Sequence, residues 1–316
     1  MIGTEIDVAA RLLQAGELVG IPTETVYGLA GNALNEAAVA KIFAVKNRPT
    51  FDPLIVHTSS TALLEKLVLE IPVKARLLAA AFMPGPLTLL LPKKDLIPDL
   101  VTAGSPLVAV RIPKHPMALA LLQKLDFPIA APSANPFGYI SPTTAQHVAQ
   151  QLGSKIPYIL DGGACTVGLE STIVGFENDE AILFRKGGIP VEAIEKIIGK
   201  VSVRAHSSSQ PQAPGMLQSH YAPRVPLILG DIAHLIAQHK GKKIGILSFQ
   251  KDYSSAYPAV TLSPDGNFEE AARRLFAGMR YLDSLPLEFI LAELVPEESL
   301  GSAINDRLRR AAVTQL

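Results

Sequence analysis

Residues 20–57 read GIPTETVYGLAGNALNEAAVAKIFAVKNRPTFDPLIVH. The stretch opens as a short buried strand in ELVGIPT, turns through hydroxyls and a tyrosine, and forms a helix over NEAAVAKIF. Asn35 caps that helix, and Val39, Ile42 and Phe43 make its inward face. Pro49 ends it, and PLIVHT resumes as a strand. This is an α/β unit that leaves Lys46, Arg48 and His57 close together near its rim.

The same pattern extends outward. TEIDVAARLLQAG places Ile6, Ala9, Ala10 and Leu13 on one helical face, with Thr4 and Asp7 as the expected capping pair and Gly16 as the stop. Further strands are expected at LTLLLP, LVAVRIP, PIAAPSA, YILDGG, STIVGF and AILFRKG, many apolar throughout, with helices between some of them. Residues 1–200 therefore read as a twisted mixed sheet packed with helices. Residues 201–224 are polar, rich in Ser, Pro and Gln and without periodicity, as in a linker. From residue 225 to 316, strands at PLILG, KKIGILSF, AVTLS and FILAELV alternate with helices at DIAHLIAQH, NFEEAARRLFAGMRYLDSL and GSAINDRLRRAA. That alternation implies a small parallel-sheet, Rossmann-like domain.

Composition bounds the function. At 316 residues and 48% hydrophobic, the chain can bury a sizeable core, and its length suits two domains. Lys+Arg and Asp+Glu both number 29, so no overall field draws the protein to nucleic acid or an anionic membrane; a polyanion must be handled locally. The single Cys165 cannot close an intramolecular disulfide, the N-terminus lacks a basic region followed by an apolar run, and stretches such as LLAAAFMPGPLTLLLP are broken by Pro and Gly. A cytoplasmic protein is expected.

Several chemistries are absent from the sequence. It carries neither a G-x-x-x-x-G-K-[ST] nor a G-x-G-x-x-G motif, so side chains must supply much of what backbone amides supply to phosphates in those loops. The seven His are scattered, with no H-E-x-x-H or C-x-x-C, and His234 and His239 fall off a common helical face, which argues against a zinc held by protein alone.

Each positive feature has a plain structural alternative. Lys46 and Arg48 form a K-x-R that could simply complement a helix C-terminus. Ser133-Ala134-Asn135 lies among Pro132, Pro136 and Pro142, as a stiff ligand-facing turn or as an ordinary one; Ser141 is the expected cap of the helix that follows, with Pro142 at its first position. Thr23, Thr25 and Tyr27 would share one face of a strand, offering hydroxyls to a ligand or serving as β-formers. Arg111, Arg185 and His57 end apolar strands, where they need an anion, water or a local partner.

Taken in order, PTETVYGL, KNRP, PLIVH, PGPLT, VAVRIP, PSAN, LDGG and ESTIV resemble the threonylcarbamoyl-AMP synthase family, whose catalytic unit is the YrdC-like domain. The resemblance covers roughly residues 12–188, and PGMLQSHYAPR with a following α/β domain is similar to the long, two-domain form. It implies an enzyme that joins L-threonine, bicarbonate or carbon dioxide, and ATP into threonylcarbamoyl-AMP, releasing pyrophosphate. The product would serve a separate transferase complex that modifies the adenosine beside the anticodon of certain tRNAs. Lys46, Arg48 and Arg185 are then expected at the phosphates, with a magnesium ion held largely by those phosphates and not by protein alone. Ser133 and Asn135 are expected at the nucleotide. Thr25, Tyr27 and His57 fall where the family holds threonine, with Arg111 and Thr172 beside them. The linker is expected to act as an active-site lid, touching the nucleotide through Tyr221, with a passive tether as the alternative. Cys165 is expected to be a buried small residue, since no covalent nucleophile is required.

Two other classes follow from the same residues. An RNA-binding module is opposed by the balanced charge and by an aromatic content of only 6%, so no strong direct nucleic-acid binding is expected. A carbamoyl-adenylate enzyme of the hydrogenase-maturation kind would need added acylphosphatase-like and zinc-finger regions, for which the cysteines are missing.

Overall fold

The computed structural model describes residues 1–204, 213–216 and 221–312. Among these, eleven strands form one sheet in the order Ile2–Gly3, Tyr158–Leu160, Val19–Ile21, Gly28–Asn32, Ile129–Ala130, Ile55–His57, Leu107–Arg111, Leu87–Pro92, Thr172–Glu177, Glu180–Arg185 and Ser202–Val203. The pairing is mixed: Leu87–Pro92 runs antiparallel to Leu107–Arg111 and parallel to Thr172–Glu177. The central strands are apolar throughout because both of their faces are covered. Leu87, Leu89 and Leu91 join one buried cluster with Val108 and Val174, whereas the alternate Leu90 joins Ala109, Ile173 and Phe184 in another. Ala213 and Met216, from the polar segment after the sheet, seal that second cluster.

Local signals worked where a side chain needs only its own backbone. Asn35 Oδ1 accepts from the amides of Ala37 and Ala38 and starts the helix Glu36–Lys46, which stops with Asn47 in the left-handed region at φ +52°. They failed where a tertiary partner intervenes. The expected Thr4/Asp7 capping pair does not form: the helix Ile6–Gln14 has Glu5 at its N-cap without a side-chain bond, the Tyr158 hydroxyl accepts from the Glu5 amide, and Asp7 pairs with Lys124. Ser141 does not cap a helix either. Its hydroxyl donates to Glu170, and Thr144 caps the helix Ala145–Leu152. Thr23, Thr25 and Tyr27 are not on a strand but in the turn between the antiparallel strands Val19–Ile21 and Gly28–Asn32. Thr23 Oγ1 there accepts from the amides of Thr25 and Val26, both at 3.2 Å, and lies 2.8 Å from Thr25 Oγ1.

Beyond the linker, Leu227–Leu229, Phe289–Ala292, Ile244–Ser248 and Ala259–Thr261 form, in that order, an all-parallel four-stranded sheet. The helices Ile232–Gln238, Phe268–Asp283 and Gly301–Ala312 complete the α/β unit, with Asp231 and Asn267 as caps of the first two. The expected linker lies partly outside the described residues: 205–212, and the stretch at 217–220 that includes His220. No helix among the described residues is long and apolar enough to cross a membrane.

The two sheets share a buried seam. Val26, Ile140 and Leu169 pack in one cluster with Leu275, Phe276 and Met279. Arg280 reaches across to the carbonyls of Ile140 and Ser141 and to Gln151, and Tyr139 donates to the Asp283 carboxylate at 2.5 Å. Gly168, at φ +80°, lets the backbone of the helix Phe268–Asp283 approach; a Cβ there would meet the Ala272 carbonyl oxygen at 2.6 Å. Gly168→Ala is therefore expected to lower the thermal unfolding midpoint, the left-handed backbone alone costing about 1–2 kcal/mol, with overlap adding to it. Circular dichroism on heating checks this, and an unchanged midpoint would mean the seam tolerates a methyl group.

Candidate active site

A cleft of ≈ 570 Å³, counting its open mouth, lies on the sheet face sealed by Ala213 and Met216. Its wall is assembled from segment ends: Thr23 and Thr25 from the hairpin turn, Arg48 from beyond the helix Glu36–Lys46, Ser133 from beyond Ile129–Ala130, and Glu170 and Ser171 from before Thr172–Glu177. His57 and Arg111 stand side by side because they are register partners at the ends of two neighbouring parallel strands. Arg185 owes its position to a register shift between Leu183 and Arg185, which interrupts the strand alternation and brings its guanidinium to the face of Ile55 and Pro214. Pro214, Gly215 and Tyr221 bring the linker into the same wall.

The electrostatics are lopsided. Arg48 is held by the Asp52 carboxylate at 2.9 Å and by the carbonyls of Asp52 and Pro53; burial pushes Asp52 up, and the Arg48 charge pulls it back. Arg111 pairs with Glu24 at 2.7 Å and donates to the Gly85 carbonyl. Among the described residues, Arg185 donates to neutral groups: Ser171 O at 2.9 Å, Ser171 Oγ at 3.0 Å and Pro214 O at 3.3 Å. Burial lowers it to about 10, against the opposing pull of Tyr221 and Glu170, so it is still cationic at neutral pH. Lys46 Nζ, buried with Arg48 nearby, donates to the carbonyls of Ser133 and Asn135. Burial and then Arg48 drive its ammonium well below the ordinary lysine value, while Asp52 acts in the other direction. Buried cations without carboxylate partners are costly unless an anion joins them.

His57 behaves differently. Burial, with the Arg111 charge next to it, lowers its imidazole from 6.5 to about 3, so the ring is neutral. Nδ1 lies 3.2 Å from the Ile55 carbonyl and donates to it, which leaves Nε2 as an acceptor on a side chain that lines the cleft.

The expected site residues divide. Thr25, Arg48, His57, Arg111, Ser133, Arg185 and Tyr221 line the cleft. Lys46, Tyr27, Asn135 and Thr172 are not on the lining. Lys46 lies behind the turn of residues 133–135. The Tyr27 hydroxyl donates to the Gly163 carbonyl and accepts from the Gly162 amide. The Asn135 amide nitrogen donates to Pro136 and Tyr139, while its buried Oδ1 has no hydrogen-bond partner among the described residues. Thr172 Oγ1 donates to the Ile189 carbonyl and accepts from its amide. Glu170 and Ser171, which sequence reasoning passed over, lie on the wall, and Asp52 and Glu24 hold its arginines. Glu170 and Ser171 begin the ESTIV motif, which was the available signal. Cys165 is buried and its thiol is pushed up to about 12, chiefly by burial, as befits an inert packing residue.

Residues 11–187 match the Sua5–YciO–YrdC family, described as telomere recombination, and residues 189–313 match the threonylcarbamoyl-AMP synthase C-terminal domain. The chain is 44% identical over 324 residues to the threonylcarbamoyl-AMP synthase of Pyrococcus abyssi, covering 98% of this chain and 94% of that relative. It is 43% identical over 322 residues to the threonylcarbamoyl-AMP synthase of Bacillus subtilis, covering 98% and 93% respectively. The crystal structure of P. abyssi Sua5 complexed with L-threonine superposes with a TM-score of 0.93 at 42% identity, over 99% of this chain and 97% of that one. The mixed sheet and the parallel-sheet domain thus have full-length counterparts, and the chain belongs to the threonylcarbamoyl-AMP synthase family in its two-domain form.

Proposed function

We propose that the protein joins L-threonine, bicarbonate or carbon dioxide, and ATP into threonylcarbamoyl-AMP and pyrophosphate. The observation that carries this reading is Arg185, a buried guanidinium on the cleft whose hydrogen-bond acceptors among the described residues are neutral, with Arg48 and Arg111 on the same wall. The threonine amine loses a proton and forms an N–C bond to the carbon of carbon dioxide. A carbamate oxygen then bonds to the α-phosphorus as the bond to pyrophosphate breaks. Carboxylate, carbamate and triphosphate repel one another, so the reaction needs cations placed in advance.

In this reading Arg48 and Arg185 meet the phosphates from the wall, and Lys46 acts from behind by fixing the carbonyls of Ser133 and Asn135. The Ser133 hydroxyl is the nucleotide's polar contact on the wall, and Asn135 behind it fixes the turn through the carbonyls of Pro136 and Tyr139. Thr25, the His57 Nε2 acceptor and Arg111 suit the hydroxyl, ammonium and carboxylate of threonine, while Tyr27 and Thr172 support the walls through their backbone partners. Glu170 on the lining is already held by Arg307 and Ser141, so a magnesium ion would be bound largely by the triphosphate and would supply charge neutralisation to the pyrophosphate. Residues 213–216 and Tyr221 serve as a lid that keeps water from the mixed anhydride. The product passes to a transferase complex acting on tRNA.

An assay with magnesium-ATP, L-threonine and bicarbonate, omitting each in turn, is expected to release pyrophosphate and form the adenylate by mass spectrometry only when all are present. Salt-sensitive RNA binding without ATP turnover would instead favour an RNA-binding role. Lys46→Ala, Arg48→Ala and Arg185→Ala are each expected to lower the rate about a hundredfold, in line with about 2–4 kcal/mol for a lost charge-stabilising contact in the transition state; a near-wild-type rate would remove that residue from the mechanism.

The neutral His57 also sets a pH dependence. Its folded value of about 3 lies below the ordinary 6.5, so between these the unfolded chain binds more protons. Its contribution to stability is complete above 6.5 and lost as pH falls toward 3. His57→Gln is expected to flatten that acid-side decline in unfolding midpoint. His147, lowered to about 4 mainly by burial, is expected to retain part of it.

A further inference from the structure

Side chains of the second domain reach residues of the cleft wall, and Arg307 touches two of them. Arg307, on the helix Gly301–Ala312, is 0% exposed although it carries a full charge. Its Nε donates to Glu170 at 3.0 Å, Nη2 to the Lys186 carbonyl at 2.8 Å and Nη1 to Asp306 at 2.6 Å. Its guanidinium also lies 5.1 Å from the centre of the Tyr221 ring, with that of Arg310 at 4.9 Å. Phe276 stacks on the same ring at 5.4 Å. Glu170 and Tyr221 are both on the lining. Tyr221 has φ +70°, a conformation that costs a non-glycine residue about 1–3 kcal/mol and persists only where its surroundings impose it. Phe276, Arg307 and Arg310 all belong to the second domain, which therefore supplies part of that surrounding, beside Ile140 and the Ala222 amide bonded to the Gly138 carbonyl.

We propose that Arg307 is a positioning residue for the synthase reaction: it neutralises the Glu170 carboxylate and holds the Tyr221 ring, so that the C-terminal domain completes the cleft wall. The proposal rests on the function inferred above. A carboxylate on the wall of a site for phosphates and a carbamate would repel its own substrates. Arg307 offsets that charge from behind while leaving Arg185 on the other side directed at the cleft. Glu170 also accepts from the Ser141 hydroxyl at 2.5 Å. Burial works to raise the Glu170 carboxyl, yet Arg307, Arg185 and Ser141 together keep it below the usual value, so it is ionised and in need of a counter-charge. A lysine could keep the charge but could not span Glu170, the Lys186 carbonyl and Asp306 while staying over the tyrosine ring.

The test uses full-length protein and steady-state pyrophosphate release with ATP and threonine varied separately. Arg307→Met is expected to raise KM for ATP about tenfold or more, because it strands a carboxylate in the site. Arg307→Met/Glu170→Gln is expected to recover most of that loss, which a purely structural role for Arg307 does not predict. If Arg307→Met does not fold, Arg307→Lys carries the test, with a smaller rise in KM at normal yield. Unchanged KM values, with activity falling only in proportion to folded protein, would overturn the proposal, as would a double variant no better than Arg307→Met. An inactive wild-type protein would instead overturn the synthase reading itself, so the two failures are distinguishable.

Discussion

A charge taken out of water must find an opposite charge or a full set of dipoles, and the protein is organised around one place where this is left incomplete. Arg48 and Arg111 have their carboxylates in Asp52 and Glu24, whereas Arg185 is surrounded by a serine and two carbonyls. The apolar strands make this possible. Because Ile55–His57, Leu107–Arg111 and Glu180–Arg185 are buried through most of their length, their polar last residues emerge together at one rim with little freedom to turn away. The cations are thus oriented before any substrate arrives, which is the condition under which fixed charges lower a barrier.

Much of this architecture could be read in the sequence, and what escaped has a common cause. Runs such as LTLLLP and the cap Asn35 are legible because the backbone alone decides them. The alternation after residue 225 gives the parallel sheet for the same reason. The site was legible as a set of motifs, and Arg48, Arg111, Ser133 and Arg185 do share one cleft. The direction of individual side chains was not. Thr23 and Thr25 fold onto each other in a turn, and Thr172 turns to Ile189, because near neighbours compete for every hydroxyl. Arg185 faces the cleft through a register shift that no periodicity displays. The role of Glu170 depends on an arginine 137 residues later, beyond any local rule.

The seam between the domains uses the same logic of shared partners. Asp283 accepts from the Tyr139 hydroxyl, from Arg224 and from the Val225 amide, so one buried carboxylate ties the catalytic domain, the end of the linker and the second domain together. Arg280 does the reverse, satisfying two carbonyls of the catalytic domain from the second. A joint built of buried groups with such partners resists partial opening, since separation would strand each of them.

That resistance bears on the linker. Tyr221 lies against the cleft, stacked on Phe276 and facing two arginines of the second domain, and only a few residues separate it from the Val225 amide fixed to Asp283. Its left-handed backbone is unfavourable in isolation, and contacts of the docked second domain are among those that hold it, beside the Ala222 amide bonded to the Gly138 carbonyl. Displacing the tyrosine and loosening the seam therefore draw on the same interactions. Substrate entry that requires this wall to move must work against the domain interface, and substrates that bind against Tyr221 must in turn favour the docked arrangement, because linkage between two equilibria acts in both directions.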